Sequence, residues 1–177
     1  DSTRYFYRYC PMQVDRASFR LHSQYIAQDK NQVYRIGPKT IHSLGYSAEE
    51  MQLLNANYAI VDRHKILYAT SHQARDFKEL SLNPVVTPEV LDQHTLRINR
   101  QVIYKGRPFA APEVDARSFE VLENSSPLHF WSRDHTTVFY NEQPVENADP
   151  STLEVLYYAV AKDVRHVYLG TQKMDGI

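Results

Sequence analysis

The sequence repeats two short patterns along its length. The first, the hairpin box, reads aromatic-x-x-x-Asp-x-x-x-Val/Ile-aromatic, and its anchor positions are Asp29, Asp62, Ile98, Asp134 and Asp163. The second, the helix box, ends on an apolar residue at positions 21, 53, 90, 121 and 155. Because two independent patterns keep similar intervals of 29 to 37 residues, the chain is predicted to be an internal repeat.

The clearest copy of both boxes lies in residues 130–158. Two β-prone segments flank the polar residues 134–137 there, and this pattern predicts a β-hairpin. Asp149 and Pro150 suit the cap and the first position of a helix. The apolar residues that follow fall three and four apart, on one helical face: Leu153, Leu156 and Tyr157. Ser47, with Glu49 and Glu50 behind it, is a second helix start of this kind.

These elements need one another, since a helix of about eight residues and an isolated hairpin are both marginal in water. Each unit must therefore bury its apolar face on its neighbours. The sequence predicts an α+β fold, an array of about five β-hairpin plus short-helix repeat units packed as a single domain over residues 1–177. The units cover residues 1–24, 25–57, 58–93, 94–127, 128–158 and 159–177, to within a few positions.

Composition excludes several classes of partner. The net charge of −1 gives the 177-residue chain no overall attraction to nucleic acid or to an anionic membrane. No apolar run approaches the ~18 residues of a membrane-spanning helix. The single cysteine, Cys10, cannot form an internal disulfide and leaves the redox compartment open. The start at Asp1 fits removal of a signal peptide or a trimmed chain equally well.

The carboxylates of the hairpin boxes are the first candidates for chemistry: Asp29, Asp62, Asp134 and Asp163. A calcium ion would need six to eight oxygen ligands, whereas the residue after each Asp is Lys, Arg, His or Val. An Asp before a tight polar turn commonly accepts hydrogen bonds from the local backbone. The pattern therefore favours structural turns over a metal site.

The histidines and Cys10 could in principle bind a metal ion or act as a nucleophile, but they form no known motif. The histidines have neither HExxH spacing nor a nearby Cys: His22, His42, His64, His72, His94, His129, His135 and His166. Cys10 lies between Tyr9 and Pro11 without a protease signature, which favours a buried thiol over a nucleophile. The sequence also contains no GxSxG, P-loop or GxGxxG motif. We therefore predict no catalytic, metal-binding or cofactor-binding residue, no cofactor and no enzymatic activity.

Tyrosine is the most over-represented side chain, with 13 copies. Ten fall in strand-like segments: Tyr5, Tyr7, Tyr9, Tyr25, Tyr34, Tyr58, Tyr68, Tyr104, Tyr140 and Tyr168. Alternation along the strands would turn about half of them outward. Exposed Tyr, with Trp131 and the Arg residues, is typical of protein interfaces, but cross-strand aromatic pairs that hold a small core are the favoured interpretation for most of these residues. The sequence does not select the residues that would contact a partner.

The residues Asp29-Lys30-Asn31-Gln32-Val33-Tyr34, the later Asp-x-x-x-Val-aromatic copies and the Ala-Asp-Pro-x-Thr-Leu-Glu-Val-Leu boxes resemble the DKNYY family of bacterial repeat proteins. The resemblance extends over about residues 12–170, with departures at Ile98 and in residues 69–86. It implies an exported protein of the periplasm or cell envelope without a catalytic motif.

The function implied by this resemblance is non-enzymatic protein binding, by an immunity-type protein that binds and neutralises a secreted antibacterial effector. One alternative is a glycan- or peptidoglycan-binding repeat module, which would show a row of exposed Tyr rings in a groove. The other is a hydrolase with an unrecognised site, which would show polar side chains converging in a deep pocket. The partner's identity, the oligomeric state and the open or closed form of the array do not follow from the sequence.

Overall fold

The computed structural model describes residues 4–7, 10–38, 40–70, 77–82 and 87–174, with side chains from Val14 onward. These residues form twenty-two short β-strands and a single turn of 3-10 helix. Twenty of the strands make five four-stranded sheets, and each sheet uses strands that are consecutive in sequence. Every sheet is therefore a simple meander. Within the described part of the chain, no helix is long and apolar enough to span a membrane.

The strands have the following bounds. The first hairpin pairs β1 (Arg4–Tyr7) with β2 (Cys10–Gln13). Sheet I contains β3 (Arg20–Leu21), β4 (Ile26–Gln28), β5 (Gln32–Ile36) and β6 (Ile41–Ser47). Sheet II contains β7 (Gln52–Leu53), β8 (Tyr58–Asp62), β9 (Lys65–Ala69) and β10 (Phe77–Ser81). Sheet III contains β11 (Glu89–Val90), β12 (Thr95–Ile98), β13 (Gln101–Tyr104) and β14 (Arg107–Pro108). Sheet IV contains β15 (Glu120–Val121), β16 (Trp131–Arg133), β17 (Val138–Tyr140) and β18 (Gln143–Pro144). Sheet V contains β19 (Glu154–Tyr157), β20 (Val160–Lys162), β21 (Val167–Leu169) and β22 (Gln172–Met174).

The predicted hairpins are confirmed. The hairpin boxes form the two central strands of each sheet, and these strands carry most of the buried side chains. In sheet IV, for example, Ser132 pairs with Phe139 and Arg133 with Val138, which leaves a four-residue connection at 134–137. The same count separates the paired residues on either side of Asp29 and Asp163.

The prediction of an α+β fold is wrong, because the helix boxes form short outer strands and the described chain is nearly all β. In the last helix box, the Oδ1 atom of Asp149 accepts the N–H of Ser151 at 2.9 Å, a bond that serves a turn as well as a helix cap. The chain then extends, and Glu154–Tyr157 pairs with β20. The prediction that Asp149 caps the backbone is therefore confirmed, but the β-prone residues after it form a strand and not a helix.

The second helix start is confirmed only as a cap. The side chain of Ser47 accepts the N–H of Glu49 at 3.3 Å and begins the 3-10 helix Ala48–Glu50. This helix ends after one turn, and β7 follows almost at once. The local signal was correct about where the backbone turns but not about how far the turn continues.

The chain divides into two compact units, and a single domain remains a prediction. Unit 1 comprises Asp1–His94 and Lys105–Arg107, while unit 2 comprises Thr95–Tyr104 and Pro108–Ile177. Unit 1 contains apolar clusters around Ile26 and around Tyr34. Unit 2 contains a cluster around the fully buried Trp131, which includes Val138, Val145, Leu153, Val155, Ala161 and Tyr168. Each unit thus has its own apolar interior.

Candidate functional site

The Asp residues of the hairpin boxes hold the turns that follow them. In sheet V, the Oδ1 atom of Asp163 accepts the backbone N–H groups of Arg165 and His166, each at 2.7 Å. Its Oδ2 atom accepts the hydroxyl of Tyr168 at 2.9 Å and the N–H of Asp149 at 3.0 Å. One carboxylate therefore binds its own turn, the next strand and the loop that precedes the sheet.

The same arrangement recurs at two other anchors. Asp29 accepts the N–H groups of Asn31 and Gln32 with Oδ1 and, with Oδ2, the hydroxyl of Tyr34 and the N–H of Asp15. Asp134 accepts the N–H groups of Thr136, Thr137 and Asp115, and the Thr136 hydroxyl supplies a further bond. The turn interpretation is thus confirmed for these three carboxylates, and we call each arrangement an Asp-locked turn.

These hydrogen bonds lower the pKa of the locked carboxyls. Burial alone would raise the pKa of Asp163, but the N–H groups of Asp149, Arg165 and His166 outweigh it and the pKa falls to about 2. The partner hydroxyl responds in the opposite direction, since burial and the nearby carboxylate raise the pKa of Tyr168 to about 12. Both shifts show that the charged Asp and the neutral Tyr are the forms that the fold stabilises.

The other two anchors depart from this pattern. Asp62 is half-buried and its Oδ1 atom accepts the N–H of His64 at 2.7 Å. Ile98 occupies the equivalent turn position in sheet III, is only 2% exposed, and is followed by Asn99 in the left-handed region with φ +55°. The third repeat thus builds a turn of the same length from an apolar side chain and a left-handed Asn.

One polar cluster in unit 2 has the residue types of a catalytic triad. The Oγ atom of Ser118 lies 2.9 Å from Nδ1 of His135 and 2.7 Å from Oδ2 of Asp115. However, the Ser hydroxyl donates to Asp115, and the same carboxylate oxygen lies 3.1 Å from the same nitrogen of His135. Activation of the Ser would require the second imidazole nitrogen to face the carboxylate, so this order of contacts does not serve nucleophilic catalysis.

The first repeat explains what this cluster does. Ser18 donates to Asp15 at 2.7 Å and accepts the backbone N–H of Lys30 at 2.8 Å, as Ser118 accepts the N–H of His135 at 3.1 Å. Lys30 occupies the position of His135 and also contacts Asp15, at 3.0 Å. The arrangement persists with Lys in place of His, so it does not depend on an imidazole. In both repeats it joins a loop to a turn.

The remaining candidates from the sequence are the possible metal ligands, Cys10 and the histidines. The described residues contain no group of three or more His, Cys, Asp or Glu side chains placed to hold a metal ion. Cys10 lies in β2, whose side chains fall outside the described part, and His72 falls outside it altogether. His94 is packed against Tyr68, with its Nδ1 atom 2.8 Å from the Tyr hydroxyl, and burial lowers the pKa of this His.

Most of the described strand tyrosines are buried, which confirms the core interpretation for them, whereas the estimate from alternation that about half face outward is wrong. Five are buried: Tyr34, Tyr58, Tyr68, Tyr104 and Tyr168. Tyr25 and Tyr140 are half-buried, while the side chains of Tyr5, Tyr7 and Tyr9 lie outside the described part. Trp131, expected at an interface, is fully buried. The Asp-locked turns explain two of the buried rings, because a carboxylate accepts their hydroxyl groups.

Among the side chains that the structure describes, exposed aromatic surface lies instead at the end of β19. Tyr157 and Tyr158 are 65% and 53% exposed, and their ring centres are 4.0 Å apart. Leu156 precedes them and is 43% exposed, while His129 lies 5.3 Å from the ring of Tyr158 and Leu128 is 80% exposed. We call Leu128, His129, Leu156, Tyr157 and Tyr158 the aromatic patch.

Two irregularities of the backbone produce this exposure. The β19–β20 register shifts between Val155 and Tyr157, so the extra residue, Leu156, and Tyr157 both face solvent. Tyr158 then has φ +46°, a conformation that bulky side chains rarely adopt. The indole N–H of Trp131 donates to the carbonyl of Tyr158 at 2.8 Å and holds this turn from the core. Because an aromatic residue is kept in a strained turn while exposed, the patch is a candidate binding surface.

Sequence reasoning missed this patch because it assigned Leu156 and Tyr157 to the buried face of a helix. A signal was present in the sequence, since Glu154-Val155-Leu156-Tyr157-Tyr158 is rich in β-prone residues and lacks the alternation of a half-buried strand. Two adjacent Tyr after such a run cannot both point into a sheet's core.

A cleft of about 390 Å³ begins where the same strand begins. It is lined by Glu120, Val121, Leu122, Glu123, Asn124, Arg133, Leu153, Glu154 and Val155. The side-chain amide of Asn124 donates to the carbonyl of Val155 at 3.2 Å, which ties the Glu123-Asn124 turn to β19. Arg133 is occupied by Glu120 and by the carbonyl of Pro150. The cleft therefore presents acidic side chains beside the strand that carries the aromatic patch.

Comparison with known proteins identifies the family. The sequence matches the DKNYY family over residues 2–172, nearly the whole chain. No curated protein and no solved structure matches it. The chain belongs to the DKNYY family, and the resemblance carried by the hairpin boxes is confirmed.

Proposed function

We propose that this DKNYY-family chain is a non-enzymatic protein-binding protein whose partner docks on the aromatic patch. The observation that supports this most directly is the exposure of Tyr157 and Tyr158 on a bulged strand. Tyr side chains offer a large apolar face and a hydroxyl at small entropic cost, which is why they concentrate binding energy at protein interfaces. Anchoring by Trp131 keeps the pair in place before a partner arrives.

The more specific proposal is an immunity role in the periplasm or cell envelope of a bacterium. In this role the chain binds a secreted antibacterial effector and neutralises it by covering its active site. Family membership supports this proposal, together with a surface that is held by the fold rather than by a mobile loop. Steric occlusion of this kind needs rigid exposed side chains and no chemistry from the chain itself.

The two alternatives are less well supported by the described residues. A glycan-binding module would need a row of exposed Tyr rings, whereas the aromatic patch holds one pair, tilted by 56°. A hydrolase would need polar side chains that converge for proton transfer, whereas the Ser118 cluster is explained by a turn. We therefore favour protein binding.

The test uses the product of the gene adjacent to this one, co-expressed and co-purified with the full chain. Tyr157→Ala removes one ring, and Tyr158→Asn removes the other while retaining a residue that tolerates positive φ. We expect each change to weaken binding by about 30-fold, the loss typical of an interface anchor. Leu21→Ala is the matched control, because Leu21 is 67% exposed on β3 of unit 1.

The proposal has two points of failure. If the wild-type chain neither binds the adjacent gene product nor protects cells that produce it, the immunity role is wrong. If the wild-type chain binds and both Tyr variants bind as tightly as the wild-type chain does, the docking surface lies elsewhere on the molecule.

A further inference from the structure

We propose that the partner presents a basic surface to the aromatic patch, so that Lys or Arg side chains lie against Tyr157 and Tyr158 and are met by Glu123 and Glu154. This inference rests on the proposed function and adds the chemical class of the partner's surface. It is carried by the distribution of charge around the patch and by the position of two Glu side chains in the neighbouring cleft.

The overall charge of −1 conceals a strong asymmetry. Unit 2 contains seven Lys and Arg against eleven Asp and Glu, while unit 1 contains thirteen against ten. The asymmetry is sharpest in residues 118–161, which hold the whole aromatic patch and contain seven acidic residues but one basic residue, Arg133. Since Arg133 is already bound to Glu120 and to the carbonyl of Pro150, this region offers negative potential.

Two of the acidic residues are placed to act together with the patch. Glu154 begins β19, the strand that ends in Tyr157, and Glu123 lines the same cleft as Glu154. Both are exposed, and the bond from Asn124 to Val155 fixes the Glu123 turn against β19. Acidic side chains thus lie at one end of the strand and aromatic rings at the other.

The cation that Glu154 now contacts is weakly held. Lys162 lies 3.2 Å from its carboxylate on the neighbouring strand, and both side chains are about half exposed or more. A surface pair of this kind contributes little and exchanges readily. A partner's Arg could therefore replace Lys162, because its planar guanidinium binds a carboxylate with two hydrogen bonds and also stacks on a Tyr face.

The test measures binding of three short peptides to the full chain by NMR: alternating Arg and Gly, alternating Glu and Gly, and alternating Ser and Gly. We expect only the Arg peptide to bind, with shifts at Tyr157, Tyr158 and Glu154. Glu123→Gln combined with Glu154→Gln should weaken it about tenfold. Raising the salt concentration from about 50 to 300 mM should weaken binding of the Arg peptide to the wild-type chain, since salt screens the attraction between exposed charges.

Glu49→Gln with Glu50→Gln is the control for net charge, because it removes the same charge from two exposed residues of unit 1. The inference is overturned if the Arg peptide shifts no residue of the patch, or if this control weakens binding as much as the Glu123 and Glu154 pair does. It fails separately from the proposed function: an adjacent gene product that binds the Tyr pair and ignores both Glu changes would retain the function and refute the basic surface.

Discussion

Two hairpin turns of the same length, one in sheet V and one in sheet III, are held by different forces. In the first, the carboxylate of Asp163 accepts four hydrogen bonds from Arg165, His166, Tyr168 and Asp149. In the second, Ile98 takes the anchor position and is buried without a polar atom in its side chain. The residue five positions later changes as well, from the buried Tyr168 to the buried Ile103.

The difference shows that the anchor residue and the residue five positions later differ together between these two repeats. A buried carboxylate is stable only when donors surround it, and a buried hydroxyl needs an acceptor. Replacing both by apolar side chains removes both requirements. Asp134 gives the intermediate case, since Phe139 replaces the Tyr and the hydroxyl of Thr136 supplies the missing bond. In these three sheets the anchor and the residue five positions later therefore differ together, whereas the half-buried Asp62 of sheet II is followed five positions later by the apolar Leu67.

Asp163→Ala should give the largest loss, because it leaves four donors without their acceptor. We expect the free energy of unfolding to fall by about 3–4 kcal/mol. Urea unfolding at neutral pH measures this loss. Val164→Ala, one position along the same turn and 71% exposed, should change the same quantity by less than about 0.5 kcal/mol. A loss below about 1 kcal/mol for Asp163→Ala would show that the carboxylate is not what holds the turn.

Ile98→Asp makes the opposite exchange, and we expect a loss of about 2–3 kcal/mol from burying a carboxylate among apolar groups. Adding Ile103→Tyr should recover at least about 1 kcal/mol, since the hydroxyl would then have an acceptor. A double-mutant cycle by urea unfolding separates the coupling from the single effects. Additive losses in the double variant would refute the idea that these two positions change as a set.

The sequence predicted what local chemistry determines. The Asp positions, their turns and the central hairpins follow from residues such as Asp29 and Val33, whose interactions lie within a few positions. The helix boxes misled because Asp149 and Ser47 signal only that backbone N–H groups will be capped. Whether a helix or a strand follows depends on pairing with the next strand, which β19 finds in β20.

The orientation of the tyrosines was unpredictable for a related reason. Alternation alone treats Tyr34 and Tyr157 alike, but the first has a carboxylate acceptor in the core and the second follows a bulge. The spacing of Asp29 and Tyr34 is part of the hairpin box, but a spacing does not show that the hydroxyl reaches the carboxylate, and the extra residue of β19 does not appear as a spacing at all. The candidate surface therefore depends on a strand pairing that the sequence pattern does not specify.

The difference between the two turns should also appear at low pH. Because the pKa of Asp163 is lowered in the folded state to about 2, its contribution is present above about pH 4 and is lost as the pH falls toward 2. Asp163 should supply about 2 kcal/mol of this acid sensitivity. Urea unfolding across this range should show a shallower loss for Asp163→Asn than for the wild-type chain. An unchanged slope would contradict the charged form of the lock.

Tyr168 extends the same comparison to high pH. Its pKa is raised in the folded state to about 12, so its contribution is complete below about pH 10 and is lost as the pH rises toward 12. Tyr168→Phe should cost about 1 kcal/mol at neutral pH and should reduce this alkaline loss. Tyrosine absorbance and unfolding measured together would test it. The control is Ile103→Phe, which changes a buried side chain at the equivalent position of sheet III without changing an Asp-locked turn. It should leave the alkaline loss as large as in the wild-type chain.

The smallest effects compare two Asp-locked turns with each other. Ser18→Ala and Ser118→Ala each remove the hydroxyl that joins a loop Asp to the turn, and we expect each to cost about 1 kcal/mol. The two losses should be equal, although Lys30 follows one anchor and His135 the other, because both turns use the backbone N–H of that residue. Urea unfolding measures the losses, and a fluorophosphonate probe tests whether Ser118 is a nucleophile. Labelling of Ser118 but not Ser18 would mean that His135 does more than close a turn, and the structural explanation of this cluster would then be wrong.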